Sequence, residues 1–454
     1  MINKLFKKRF FLIGIQFFTL FVFVLIIYGA IGITTDDKSF AKILRNTNLS
    51  NLLIWSYWWP MIIVTAILFG RFWCTICPME LVTSFFSMIG FKRKPGLILK
   101  SGWIISLFYA MILILGIHTL AIHRIPQYMA IYMLILFSIA VISGVIWEKR
   151  TFCTYVCPVG HLLGLYSMLS TKQLRVKNTE VCKTCKTKDC ISKTNHYNVT
   201  ARSCTSNLYP AELTDNRSCI VCGQCHKSCT KDNISIQKRK IALDLFTDIK
   251  LSWAEISFFM MLSSFVIYEI LSEWTFTKNI LMIVPKWTNG ILGLQGNFSG
   301  TIKAVILFVI FPFIFYTFFA VLKKIFVGEK LKSAFTQLVI VILPITASMH
   351  LLKALLKTTS RIPYWEHVWS DVKGVETARR IMEDSSYLNK DVLLQIAPII
   401  SVLSILLPVG ALFLSIMIIR KQKNISNLSK GFSFIATFIY FSLFLIALLA
   451  WRYF

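Results

Sequence analysis

Twelve of the 454 residues are cysteines, and eight of those lie between positions 182 and 229. They fall into two runs, Cys182, Cys185, Cys190 and Cys204, then Cys219, Cys222, Cys225 and Cys229. Thiolates are soft ligands, and closely spaced cysteines let a short loop present three sulfurs to one iron–sulfur cube. The second run, CIVCGQCHKSC, separates its cysteines by two, two and three residues, a spacing in which the fourth thiolate reaches a neighbouring cube. Crossed ligation then predicts cluster one from Cys182, Cys185, Cys190 and Cys229. Cluster two takes Cys204, Cys219, Cys222 and Cys225. The first run departs from the pattern, with four residues before Cys190 and thirteen before Cys204, and Thr230 follows the last ligand where proline usually closes such a run. Single-electron transfer is the chemistry that such a pair of [4Fe-4S] sites serves. Structural zinc and disulfides are the plainer alternatives for paired CxxC units.

The other four cysteines form two pairs, Cys74 and Cys77 in GRFWCTICP and Cys153 and Cys157 in KRTFCTYVCP. Each pair is followed by proline and a short apolar stretch, 79–90 and 159–170, which reads as a duplicated unit of span, cysteine pair, proline and interfacial helix. Three readings compete for these thiols. They form redox dithiols activated by Arg71, Lys149 and Arg150, they jointly hold a metal or a further cluster, or they are small buried hydrophobes at helix ends.

The elements that position these motifs are membrane helices. The chain is 56% hydrophobic with 37 phenylalanines, only 15% charged, and has a mean hydropathy of +0.65, which excludes an ordinary soluble domain. Nine stretches are apolar over the roughly 20 residues a helix needs to cross a bilayer. They lie near 10–32, 52–70, 102–121, 128–147, 252–272, 302–322, 334–354, 394–419 and 431–450. The first, after Lys4, Lys7, Lys8 and Arg9, is too long for a secretory signal and lacks a small-residue cleavage site, so it reads as a retained anchor.

Lysines and arginines accumulate on the cytoplasmic side of short loops. With the N-terminus inside, the inner segments carry 34 of the 49 basic residues and the outer ones 13. The cysteine segment is then cytoplasmic, the pairs at 74/77 and 153/157 reach the same face, and Trp451, Arg452, Tyr453 and Phe454 lie outside. Disulfides become improbable in a reducing cytosol. The net charge of +28 follows from this topology and from support of anionic clusters. It does not call for nucleic acid, because no binding motif accompanies it.

Arg71, Cys74, Cys77, Pro78, Cys153, Cys157, Pro158 and the eight ferredoxin-type cysteines together resemble the NosR/NapH-type, polyferredoxin-like 4Fe-4S membrane proteins over residues 50–240. The resemblance implies a carrier between the quinone pool and a periplasmic reductase, or an accessory factor that reduces metal or thiol groups while another respiratory enzyme matures. It places the chain in a bacterial inner membrane and makes it a component of a quinol-linked oxidoreductase, not a stand-alone enzyme. The chain departs in CTICP, which has two residues between the first pair where the family has three. It also shows no large periplasmic flavin-binding domain ahead of the first span, which points to the NapH-like branch or to an unnamed one.

The expected fold is therefore mainly α, a polytopic helical membrane protein with a small cytoplasmic ferredoxin-like domain. Residues 1–170 form a four-span membrane domain, 171–250 the 2x[4Fe-4S] domain, and 251–454 a five-span membrane domain. His118 and His350, toward the outer ends of the third and seventh spans, are the pair for a b-type haem or a quinone contact; hydrogen-bonded interfacial histidines are the plainer reading. His226 reads as loop filler. The outer loop 355–393 holds Tyr364, Trp365, His367 and Trp369 ahead of a helical ETARRIMED. An aromatic anchoring belt competes there with a quinol pocket or docking site in which Glu366, His367 or Asp371 takes protons. A transporter is the rival class, but few charges are embedded and no broken-helix repeat is evident. Phosphate loops, hydrolase triads and HExxH helices are absent.

Overall fold

A computed structural model describes residues 2–8, 10–198, 201–294, 296–422 and 425–453, with the side chains of 2, 297 and 450–453 not described. Three of the four C-terminal positions read as external, 451, 452 and 453, are thus described only as helical backbone, and 454 lies outside the described residues.

Among the described residues, eight helices are long and apolar enough to cross a membrane: Phe11–Tyr28, Leu49–Phe69, Pro126–Ile146, Trp253–Leu271, Phe298–Val327, Leu331–Val368, Asp391–Lys421 and Asn427–Leu449. Each coincides with one of the nine apolar stretches. The remaining stretch, 102–121, forms the shorter apolar helix Trp103–Thr119, whose second half winds as a π-helix, Ile112–Thr119. Two other spans also carry π turns, Leu53–Trp58 and Ile306–Ile310. Such turns displace the side-chain register within an otherwise regular helix.

Compact packing divides the chain into two units that are not contiguous in sequence. One comprises Met1–Tyr28, Met61–Ile105 and Ala130–Asp244; the other Gly29–Pro60, Ser106–Met129 and Leu245–Phe454. The cysteine segment therefore packs with the first span and with both cysteine-pair motifs, where a linear division at 170/171 separates them.

In the first unit, both cysteine-pair motifs repeat one design. A five-residue helix, Phe72–Ile76 or Thr151–Tyr155, is followed by an extended Cys77 or, one residue later, an extended Cys157, and a proline opens the next helix, Pro78–Ile89 or Pro158–Ser167. Proline cannot donate an amide hydrogen, so it suits the first position of a helix, where none is needed.

The cysteine segment hangs on a two-stranded antiparallel sheet. β1 (Lys172–Val176) pairs with β2 (Ile234–Lys238), with Leu174 opposite Ile236. Leu174 and Ile234 pack with Cys219, Val221 and Cys225 in a small core. The N-terminal helix Ile2–Lys7 lies against this sheet: Asn3 accepts from the Ile236 amide at 2.9 Å, and Phe6 occupies the space that a Cβ on Gly223 would enter.

In the second unit the best-buried helix is Leu331–Thr359, which carries Pro344 internally. Ser252 and Glu255 form a reciprocal capping box that starts Trp253–Leu271. The loop 355–393 contains the helix Val375–Glu383, as ETARRIMED suggests, packed on Lys38–Thr47 through Ala378, Leu44 and Ile33.

Candidate iron–sulfur sites

The chain wraps tightly through CIVCGQC. Val221 has φ +57° and Gly223 φ +68°. A left-handed β-branched residue is strained, whereas glycine adopts that conformation at little cost. The bends turn Cys219, Cys222 and Cys225 toward a common region, and Cys204 joins them: the thiol charges acting on Cys225 are, in order, Cys204, Cys222, Cys219 and then Cys190. Around Cys190 the neighbouring thiols are Cys229, Cys182 and Cys185. Two quartets thus lie side by side, joined where the Cys204 amide donates to the Cys190 carbonyl at 2.7 Å.

Hydrogen-bond donors are already aimed at these sulfurs. Asn233 directs its amide at Cys229 Sγ (3.4 Å) and its side-chain Nδ2 at Cys182 Sγ (3.2 Å), and the Leu208 amide points at Cys204 Sγ (3.4 Å). Thr205 Oγ1 lies 3.9 Å from Cys222 Sγ. Donors of this kind stabilise a thiolate and the extra charge of a reduced cluster. Burial works the other way on the free thiols, raising Cys219 to about 12 and Cys190 to about 11. Cys185, at the surface, is lowered, chiefly by the Lys188 amide. Deprotonation of the buried thiols is accordingly coupled to taking up metal.

The four membrane-edge cysteines converge as well. Cys77 is pushed well above the usual thiol range by burial and then by Cys153, Cys74 and Cys157; Cys153 rises to about 12 and Cys157 to about 11, again through burial first. The neighbouring cations do not produce the low-pKa thiolate that a reactive dithiol needs. Arg150, 1% exposed, is held charged by Cys153, Glu80 and Cys74 despite its burial. Arg71 fixes the Arg217 carbonyl at 2.8 Å. Lys149 turns elsewhere, donating to the Cys204 carbonyl (2.9 Å) and to Asn207, and so belongs to the Cys204 loop. Gly160 permits the packing, since a Cβ there would stand 2.9 Å from the Cys153 carbonyl and 3.0 Å from the Arg71 guanidinium.

Thr75, between Cys74 and Cys77, donates through Oγ1 to the Ile220 carbonyl, between Cys219 and Cys222, at 2.6 Å. Nearby, the buried Glu80 accepts from Gln16 (2.5 Å) and Ser84 (2.9 Å), and Gln16 also donates to the Thr75 carbonyl (2.7 Å). Leu12, Gln16, Thr75, Glu80, Thr205 and Cys222 line one cleft. Sequence reasoning missed Gln16, Thr75, Glu80, Asn233 and Arg217. A glutamate and a glutamine inside apolar helices were the available signal, because polar groups there are costly unless partnered.

Among the described residues, no three His, Cys, Asp or Glu side chains converge closely enough to hold one metal ion. A tetrahedral zinc needs such convergence. Ligands that each bind a different iron of a cubane do not.

His118 packs on Phe308 (4.9 Å) and His350 on Phe265 (6.3 Å), and Phe265 and Phe308 lie 6.0 Å apart, so a run of aromatic contacts links the two histidines. His350 Nε2 accepts from Trp59 at 3.4 Å. His226 is buried, with Nδ1 4.0 Å from Asp232. In loop 355–393 Asp371 accepts from the amides of Gly374 and Thr377, both at 2.9 Å, a structural cap. Trp365 donates to the Tyr57 hydroxyl, and His367 stacks on Tyr387 at 4.6 Å.

A family model described as a 4Fe-4S binding domain matches residues 51–96 and 129–177. The first segment contains Cys74 and Cys77, the second Cys153 and Cys157. The chain is a membrane iron–sulfur protein. Its curated relatives include an uncharacterised protein of Methanocaldococcus jannaschii, 33% identical over 85 residues, or 18% of this chain and 29% of that protein. A second uncharacterised protein of the same organism is 26% identical over 185 residues, 38% of this chain and 67% of its own length. The chain thus spans less than a third of the first relative and about two thirds of the second. No solved structure matches.

Proposed function

We propose that this iron–sulfur protein is a membrane-integral electron carrier of the NosR/NapH type, in which three thiol quartets form one relay. Cys182, Cys185, Cys190 and Cys229 hold one [4Fe-4S] cluster, Cys204, Cys219, Cys222 and Cys225 a second, and Cys74, Cys77, Cys153 and Cys157 a third. When bound, the clusters accept and release single electrons. The observation that carries the reading is the Thr75–Ile220 hydrogen bond, which ties the membrane-edge motif directly to the loop of the second quartet. The match of the 4Fe-4S model to the two membrane-edge segments supports the third centre.

The side chains around these thiols do the tuning. Asn233, Thr205 and the Leu208 amide stabilise added negative charge at the sulfurs, and Arg150 does so between the membrane-edge thiols and Cys222. Cleft residues Leu12 and Gln16 belong to the first span, so the second quartet adjoins a cleft that this apolar helix helps to line. Quinol is the donor or acceptor class that fits this placement, with an outer reductase as the remote partner. Contact of the N-terminal helix with β2, together with the basic-residue distribution, supports a cytoplasmic position for the cysteine segment in a bacterial inner membrane.

The test is quinol-linked electron flow in membrane vesicles from cells carrying Cys222→Ser. The variant inserts normally and loses the flow; undiminished flow rejects the relay.

A further inference from the structure

The second unit holds a concentration of positive charge that its own residues do not neutralise. Glu269 accepts from Lys357 at 2.8 Å and lies 4.0 Å from Lys353, which also pairs with Glu273. Arg45, Arg124 and Arg361 stand within electrostatic reach of one another or of these same carboxylates. Five cationic side chains therefore face two carboxylates, and a buried charge without a counter-charge is strongly unfavourable.

Hydrogen bonding points the same way. Arg45 Nε, Trp55 Nε1 and His123 Nδ1 are buried atoms with no hydrogen-bond partner among the described residues. His123 Nε2 accepts from Arg124 Nε at 3.3 Å, so the hydrogen of the neutral ring sits on Nδ1 and makes it a donor. Trp55 and His123 meet edge to face with centroids 6.5 Å apart, and the His123 ring lies within reach of the Arg45 charge. Arg361 holds its place by donating to Ser56 at 2.6 Å. Buried donors are almost always paired, and here three orphans share a region of surplus positive charge.

We infer that Arg45, Trp55 and His123 bind a phosphate-type oxyanion, with Arg124 and Arg361 supplying further charge. The ligand must offer acceptors to three N–H groups and carry negative charge; a neutral carbonyl compound meets only the first demand. Arginine forks match the oxygens of phosphate. Two unpartnered acceptors beside Arg45, Asn46 Oδ1 and Asn51 Oδ1, suit a hydroxyl borne by the same ligand. Arg45, His123 and Arg124 lie just outside span ends, Arg361 follows the helix Leu331–Thr359, and Trp55 sits in the second turn of Leu49–Phe69, near an end where phosphate is available as a lipid headgroup or a free ion.

The test uses the full chain in detergent after delipidation. Inorganic phosphate is titrated calorimetrically, and phosphatidylglycerol retention is followed by native mass spectrometry, for wild type, Trp55→Phe, Arg45→Gln and Lys42→Gln. One equivalent of either probe is expected. Binding weakens by about tenfold in Arg45→Gln and by several-fold in Trp55→Phe, and is unchanged in Lys42→Gln, an exposed charge on the same helix. Trp55→Phe keeps both ring and net charge, and an unaltered melting temperature shows that folding is intact. Response to phosphate alone assigns a soluble ion, and response to the lipid alone assigns a headgroup. The inference is overturned if neither probe binds, if both buried-site variants bind like wild type, or if Lys42→Gln weakens binding as much as they do.

Discussion

Asn233 donates to sulfurs on two sides, Cys229 through its backbone and Cys182 through its side chain, and its Nδ2 also reaches the Asn178 carbonyl at 2.6 Å. Each such bond stabilises the more negative, reduced state. Replacing Asn233 with alanine should lower the potential of cluster one by about 40 mV, the equivalent of roughly 1 kcal/mol of differential hydrogen bonding. Potentiometric titration followed by electron paramagnetic resonance reads this directly, and an unmoved midpoint refutes it. Thr75→Val tests the link between motifs. Losing the 2.6 Å bond leaves the Ile220 carbonyl unpaired and costs about 1–3 kcal/mol, yet touches no ligand. Both cluster signals should persist while electron exchange between them slows; unchanged exchange kinetics would count against Thr75 as a coupling residue.

At the level of elements, the two cysteine–proline turns are held by close packing. Gly160→Ala places a methyl group against the Cys153 carbonyl and the Arg71 guanidinium, both inside ordinary contact distance. The variant should lose iron from the membrane-edge site and keep that of the other two, which elemental analysis beside spectroscopy of each signal would reveal. Much of this architecture is legible in the sequence. Eight of the apolar stretches form described helices long and apolar enough to cross a membrane, because hydropathy over about 20 residues reflects a strong physical constraint. The proline-started helices after Cys77 and Cys157 likewise announce themselves. The strands β1 and β2 do not, since KQLRV and ISIQK are five residues each and gain their order from a partner some 60 residues away. Lys149 also misleads: adjacent to Arg150 in sequence, it bends at φ +54° and serves the Cys204 loop. Sequence proximity could not foretell that, nor that burial would outweigh the nearby cations at Cys153 and Cys157.

For the whole molecule, the division into two units has a thermodynamic consequence. The sheet-centred core of the cysteine segment is small, so metal must contribute much of its order, whereas Leu331–Thr359 and its neighbours bury a continuous apolar interior without it. Anaerobic removal of iron should therefore abolish hydrogen-exchange protection over 172–238 and leave Trp253–Leu271 and Leu331–Thr359 protected. Loss of protection throughout would show that the units do not fold separately.

The central claim is that three thiol quartets carry iron–sulfur clusters. Purification under anaerobic conditions, with iron, zinc and acid-labile sulfide quantified on the sample used for paramagnetic resonance, addresses it most directly. About twelve iron and twelve sulfide per chain, with reducible paramagnets that diminish selectively in Cys222→Ser, Cys190→Ser and Cys153→Ser, are predicted. Zinc in place of iron, or no reducible paramagnet, would contradict it.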